Sequence, residues 1–371
     1  MTQTKIAFIT TIPPDAAPFI AAVKSINKRK GEIVKTFIRT GGDFRDFGNL
    51  DEFIQFANKS HIVIVHLMGE LPEFDLLLSS LKRAGVPIVV ASSVIGQNKE
   101  FKSLCTVDKK DYQKILRYLN YGGKKNFENL LLYVANRFTG ANYEVSPPER
   151  PSWEGIYHPD FEHLPTLDDY MEKKIVPGRP TVGLWFHQNH WQGGNTSYVD
   201  AIIKEIEHQG ANVLPVFFSG MKDATLGMKG LEWVIDNYFM KNGKPLVDVV
   251  ISALSFSLST SLSGSETPDE FLKKLKVPVI KAILTCNTFE EWRDTFQGLN
   301  IIEIPSSIAM PEFDGILITV PVAAMKFSET DPQTGTKIIK YEPIPERVNK
   351  LVRLSLNWAK LRCAFLTKKR R

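Results

Sequence analysis

Cysteine is scarce in this chain. Cys105, Cys286 and Cys363 are its only three; they lie far apart and form no CxxC pair. That excludes a disulfide framework and a thiolate zinc site, and it fits a reducing compartment. Long apolar runs are missing too. None approaches the roughly 20 residues that cross a bilayer, so no membrane span is expected. The N-terminus, Met1-Thr-Gln-Thr-Lys-Ile-Ala-Phe-Ile-Thr10, enters a strand with no signal-peptide core, and a cytoplasmic location is expected. Charge of one sign is only slightly in excess. The formal charge is +5 over 371 residues, and part of it sits in the tail Lys368-Lys-Arg-Arg371. No basic stripe with interleaved aromatics occurs, so nucleic acid is not an expected partner. Phosphate loops are absent: there is no GxGxxG after the first strand, which runs into Thr11-Ile-Pro-Pro-Asp15, and no GxxxxGK[ST] anywhere. No cofactor is therefore held by a recognisable motif, and this chain is not expected to hydrolyse ATP. There is no GxSxG nucleophile elbow either.

What is present is an ordinary globular composition, 43% hydrophobic and 23% charged, long enough for two domains. The first half alternates β-rich runs with helical patterns. Strands are expected at Ile6–Thr10, Val34–Arg39, His61–Leu67 and Pro87–Ala91. Helices are expected at Ala16–Lys30, Leu50–Asn58, Glu73–Ala84, Lys109–Tyr121 and Asn126–Phe138. Near-continuous Val/Ile runs suit strands buried on both faces of a parallel sheet. Residues 144–180 break the rhythm with a proline-rich run and read as a linker, pinned to a domain surface by Trp153, Ile156, Tyr157 and Phe161. The second half repeats the plan, with strands at Thr181–Phe186, Asn212–Phe217, Val247–Ala253, Val277–Ile283 and Gly315–Val320. Its helices are Tyr198–Gln209, Gly230–Met240, Pro268–Leu275 and Thr288–Phe296. A hairpin, Met325–Phe327 with Lys337–Tyr341, and an amphipathic helix, Pro345–Leu361, close the chain. The expected fold class is α/β: two doubly wound Rossmann/flavodoxin-like parallel-sheet domains at 1–143 and 181–321, joined by the 144–180 linker. Residues 322–371 add the hairpin and helix.

One loop holds more chemistry than a connector needs. Strand Val182–Phe186 runs into His187, Asn189, His190, Trp191, Gly193, Gly194 and Asn195 before the next helix. A loop at the carboxyl end of a strand opens onto the ligand crevice of an α/β domain. Either His187 or His190 coordinates a metal or donates to an acidic ligand, with Trp191 as a stacking surface, or the imidazoles cap the strand end and Trp191 fills a gap between domains. A second loop, Ser252 to Gly264, is rich in hydroxyls. Ser255 and Ser257 there either hold ligand carboxylates or belong to a flexible connector. His158 either reaches the crevice or fixes its own turn. His66 ends a strand and reads as structural. Glu312 and Asp314 are acid/base candidates that a turn also explains.

Several segments together resemble the N-terminal part of the large subunit (CobN/magnesium chelatase H-type) of the ATP-dependent cobaltochelatase and magnesium chelatase family. They are Tyr121-Gly-Gly-Lys-Lys-Asn-Phe-Glu-Asn-Leu130, Trp153-Glu-Gly-Ile-Tyr-His-Pro159, Pro180 through Asp200, Gly210-Ala-Asn-Val-Leu-Pro-Val-Phe217, Val247 through Leu258, Met310-Pro-Glu-Phe-Asp-Gly315, and Arg347 through Arg362. The likeness runs nearly the whole chain to about Arg362. The His-Trp-x-x-Gly-Asn-Thr form of the central loop is closer to the cobalt branch. The resemblance implies a tetrapyrrole-binding subunit, with Co2+ or Mg2+ as substrate. It implies an AAA+ ATPase subunit that uses the ATP, an adaptor subunit, and a corrin precursor or porphyrin. Trp191 and Trp185 would stack on the macrocycle. Family large subunits are far longer, and their metal-insertion residues lie in a body this chain lacks. A separate chain is a possible source of that body, and metal insertion by this polypeptide alone is not expected. Two other readings stay open: a non-catalytic docking module, and a cytoplasmic small-molecule-binding protein with two α/β lobes around a cleft.

Overall fold

The computed structural model describes residues 3–368 apart from 13, 42, 44–46, 70, 72, 256–257, 259–267 and 302. The chain divides into two units. One comprises Met1–Pro151, Gln192–Gly194 and Phe327–Ile339; the other comprises Ser152–Trp191, Asn195–Lys326 and Lys340–Arg371. Among the described residues no helix is long and apolar enough to cross a membrane.

The first unit is built on β1 (Thr4–Thr10), α1 (Ala16–Lys30), β2 (Val34–Thr40), α2 (Phe47–Ala57), β3 (Ile62–Leu67), α3 (Phe74–Ala84) and β4 (Ile88–Ser92), followed by α4 (Lys109–Tyr121) and α5 (Gly123–Thr139). The strands pair in parallel in the order β2-β1-β3-β4. Successive side chains of a strand face opposite sides, and here both sides are covered. Ile6 and Phe8 meet Phe19, Val23, Phe127 and Leu131 from α1 and α5. Ala7 and Ile9 meet Phe53, Leu77 and Leu81 from α2 and α3. That is why β3, Ile-Val-Ile-Val-His-Leu, is buried at every position. The boundary between α4 and α5 is Gly122, whose φ of 56° is a left-handed conformation that suits glycine.

The second unit contains β5 (Glu154–Ile156), α6 (Leu167–Lys174), β6 (Thr181–His187), α7 (Gln188–Gln192, its last residue assigned to the first unit), α8 (Ser197–His208), β7 (Asn212–Phe218), β8 (Val249–Ser252), α9 (Pro268–Leu275), β9 (Val279–Lys281), β10 (Ile283–Thr288), α10 (Phe289–Asp294), β11 (Pro321–Phe327), β12 (Ile339–Pro343) and α11 (Pro345–Lys368). Its main sheet has the order β9-β8-β6-β7-β5. All pairs are parallel except β5, which lies antiparallel against β7. The proline-rich stretch thus contributes an edge strand, and the Trp153 indole N–H donates to the Leu226 carbonyl at 2.8 Å. One face packs Val182, Leu184 and Phe186 under α8 and α11. The other packs Trp185, Leu214 and Val216 under the helical turns 230–239.

The chain is therefore mixed α/β with parallel sheets. Two second-half expectations need correction. Gly315–Val320 is not a strand; only Leu317 bridges, to Ile280. The expected Val277–Ile283 strand is two shorter ones, β9 and β10, and β10 joins a separate sheet of order β10-β11-β12. The single residue Ala282 lies between them, and its N–H returns to the Ser252 carbonyl.

Candidate functional site

The site is built at the carboxyl edge of the second unit's main sheet. Strand β6 lies centrally, so its alternation divides the loop's chemistry between two faces. Leu184 and Phe186 enter one core, Trp185 the other. Trp185 is fully buried, with ring centroids 6.2 Å from Phe218 and 5.6 Å from Phe239, both edge-on. It offers no free face to a macrocycle, which overturns the stacking role expected of it. Register sets Ser252 beside Trp185 and Lys281 beside Ser252, on one face of the sheet. All three are buried. Among the described residues the Trp185 N–H and the Ser252 hydroxyl have no hydrogen-bond partner, while the Lys281 ammonium donates to the Leu254 carbonyl. Burial pushes the Lys281 amine down to about 8, and the charge of Asp314 pulls against that shift. Asp314 is itself buried and accepts from the Leu258 N–H at 2.5 Å. Glu312 is exposed.

At the tip of β6, His187 is half-buried, and its Nδ1 is buried without a partner among the described residues. Burial first, then the Lys281 charge, lowers its pKa to about 4. His190, on α7, stands with its ring centroid 6.5 Å from that of His187. Its Nδ1 lies 2.6 Å from the Tyr198 hydroxyl. Burial, then His187, lowers its pKa to about 3. Both rings are therefore neutral near pH 7, the form that can bind a metal ion. Gly220 crosses beside His187 with φ +79°, and a Cβ there would lie 3.0 Å from His187 Cε1.

The other expected residues separate. Trp191 stacks on Phe217, centroids 4.4 Å apart and planes 7° apart. It also lines a pocket of about 280 Å3 with Tyr157, Phe161, Leu164 and His158. Asn195 is used structurally: its Oδ1 accepts the Tyr341 N–H at 2.8 Å, and its own N–H donates to the His190 carbonyl at 2.7 Å. Ser255 is exposed, and Ser257 lies outside the described residues. His158 is buried, with Nδ1 accepting the Asp160 N–H within the turn and Nε2 3.2 Å from Glu207 on α8, so both ring nitrogens are engaged. Among the described residues no three His, Cys, Asp or Glu side chains group closely enough to hold a metal ion.

Sequence reading missed Lys281, Tyr198 and Tyr341, and it named Ser252 only as the start of the hydroxyl-rich loop. One signal for Lys281 was available: a lysine inside the apolar run Val277-Pro-Val-Ile-Lys-Ala-Ile283. In the first unit His66 is buried with Nδ1 2.7 Å from Asp15, which the Thr10 hydroxyl also donates to at 3.0 Å. Asp15 lies too far away in sequence for spacing to show that pair.

Comparison with known proteins adds the following. The model of the CobN/Magnesium Chelatase family matches residues 116–370. An uncharacterized protein of Methanocaldococcus jannaschii is 34% identical over 96% of this chain and 29% of its own length. The aerobic cobaltochelatase subunit CobN of a Sinorhizobium species is 28% identical over 85% of this chain and 25% of its own. Among solved structures, the catalytic subunit of cobaltochelatase from Mycobacterium tuberculosis superposes with a TM-score of 0.61 at 19% identity, covering 96% of this chain and 27% of that one. The chain thus spans less than a third of the length of these relatives.

Proposed function

Because this chain belongs to the CobN/magnesium chelatase family, we propose that it works as the N-terminal part of a cobaltochelatase-type large subunit. In this reading it contributes tetrapyrrole and metal binding to ATP-dependent metal insertion in the cytoplasm. A partner AAA+ subunit hydrolyses the ATP and an adaptor subunit joins them; this chain's lack of a phosphate loop agrees with that division. We also read each unit as a doubly wound module. Helices on both faces of the β2-β1-β3-β4 sheet support this for the first.

The observation that carries the proposal is the pair of neutral imidazoles at the carboxyl end of β6, one with a buried nitrogen that no group among the described residues engages. Metal insertion must displace protons from pyrrole nitrogens and hold an incoming cation. Neutral imidazole suits the second task; with pKa values near 4 and 3, neither ring holds a proton near pH 7. The free side of Trp191 gives a flat apolar surface at a pocket large enough for one edge of a macrocycle.

The test is an absorbance titration of a free-base tetrapyrrole with rim carboxylates, with and without Co2+. The wild-type chain should shift the Soret band saturably. His187→Ala should weaken binding by about tenfold, equivalent to ~1.4 kcal/mol, with little change in melting temperature. No spectral change with the wild type, or equal affinity in the variant, ends the proposal.

A further inference from the structure

The first unit holds a buried polar pair that the proposed function leaves unused. Thr10 and His66 are register partners at the carboxyl ends of β1 and β3. From β1 the chain crosses through α1 to β2 on one side; β3, reached later through α2, lies on the other. In a sheet of order β2-β1-β3-β4 this is where the crossovers change direction, and ligands of open α/β sheets bind outside the strand ends at such a point. The second unit repeats the order as β7-β6-β8-β9, and His187 ends β6 at the equivalent place.

His66 is 2% exposed and Asp15 6%. Asp15 is the N-cap of α1, a helix of 15 residues. Its Oδ2 lies 2.7 Å from His66 Nδ1 and accepts from the Thr10 hydroxyl at 3.0 Å. A carboxylate on Nδ1 keeps the proton there and leaves a lone pair on Nε2. That nitrogen is buried and has no hydrogen-bond partner among the described residues. The hydroxyls around it differ in this respect. Thr11, Thr40 and Ser92, at or just past the ends of β1, β2 and β4, are each hydrogen-bonded. Met68, two residues beyond His66, is exposed, so the chain meets solvent just past the ring.

Charge selects the occupant. Among the described residues the only ionic partner of Asp15 is His66. With a neutral imidazole the buried cluster therefore carries one negative charge, which opposes an anion. The turn Ile12-Pro-Pro-Asp15 and Pro18 also place prolines, which have no N–H, where an anion would need donors. A cation at Nε2 instead offsets the carboxylate through the ring. Metal-bound histidines are held in this way, one ring nitrogen on the metal and the other on a carboxylate that fixes the tautomer and raises the ring's basicity.

We infer that His66 Nε2 is a ligand for a divalent first-row cation of the kind imidazole favours, Zn2+ or Co2+, with Asp15 as its positioning residue. Among the described residues no three ligating side chains gather, so the other coordination positions fall to water or to donor atoms of a bound molecule. The inference concerns the first unit alone and stands whether or not the imidazoles of the second bind anything.

The experiment titrates Zn2+ into the full chain at pH 7 by calorimetry, in a His187→Ala, His190→Gln background that removes the second unit's rings. One cation per chain should bind saturably. Asp15→Asn should weaken binding by about 10- to 100-fold, and His66→Gln should abolish it. Since replacing a buried group can unfold the chain, the unsubstituted protein labelled with 15N-histidine is read in parallel. Zn2+ should shift the His66 Nε2 resonance while Nδ1 stays protonated. Three results would overturn the inference: no saturable binding, the same affinity in a folded His66→Gln chain, or a His66 Nε2 resonance unmoved at saturating Zn2+.

Discussion

His187 and His190 have charge states set by their surroundings rather than by solution pH. Removing an imidazolium from water costs free energy, and among the described residues no carboxylate acts on either ring to repay it. Their pKa values fall to about 4 and about 3, against an ordinary value of 6.5. Between those limits and 6.5 the unfolded chain binds protons that the folded chain refuses. Stability therefore rises with pH through this window, is fully present above 6.5, and is lost as pH falls toward 4. The slope is at most ~1.4 kcal/mol per histidine per pH unit, reduced by the partial exposure of both rings. Chemical denaturation at pH 4.5, 5.5 and 7 should show this loss. His190→Gln, which keeps a polar partner for Tyr198, should flatten the curve. An unchanged slope in the variant would mean that His190 titrates normally. At this scale the sequence revealed which residue types share the loop but not their environments. Trp185 and Trp191 looked equivalent there; the period-2 alternation of β6 buries the first, and only the helical turn after it leaves the second half-exposed.

Elements were legible where burial made the pattern simple. The first unit's strands are Val/Ile runs covered on both faces, and each expected strand is present to within a few residues. The stretch from 277 to 320 was harder. Gly315–Val320 has strand-forming residues, but only Leu317 bridges to a neighbouring strand, so pattern without pairing made no strand. The helical pattern at 230–240 hides a change of pitch. An α-helical turn, Gly230–Val234, passes into a π-helical one, Ile235–Phe239. That wider turn carries Phe239 down onto β6, where Gly183 leaves room for it. A Cβ at 183 would lie 2.8 Å from Phe239 Cε1 and 3.1 Å from Val250 Cγ2. Gly183→Val should therefore displace Phe239 and, through it, Trp185, and cost about 1–3 kcal/mol. Urea unfolding with Trp fluorescence reads both effects. A stable variant with unaltered emission would show that the ring has other places to go.

At the scale of the whole molecule, ordered family segments carried the identification, because no single short motif in the chain specifies a chemistry. Each fragment alone is common; their order over most of the chain is not. Activity is a different matter. Inserting a cation into a macrocycle requires a set of ligands to deliver it, a base for the pyrrole protons, and a source of work. The second unit supplies two imidazoles, and among the described residues no cluster of three potential ligands exists to complete a delivery site. The chain also spans less than a third of its relatives' length. Binding and insertion should therefore come apart. The isolated chain should shift a tetrapyrrole's absorbance, yet form no metallated product with Co2+, even when an ATP-hydrolysing partner subunit and ATP are supplied. Adding the body polypeptide should restore turnover. Mass spectrometry of the extracted pigment is the readout. Metallated tetrapyrrole formed by the chain alone, above the rate in buffer, would place the insertion chemistry within these two units and overturn the division of roles.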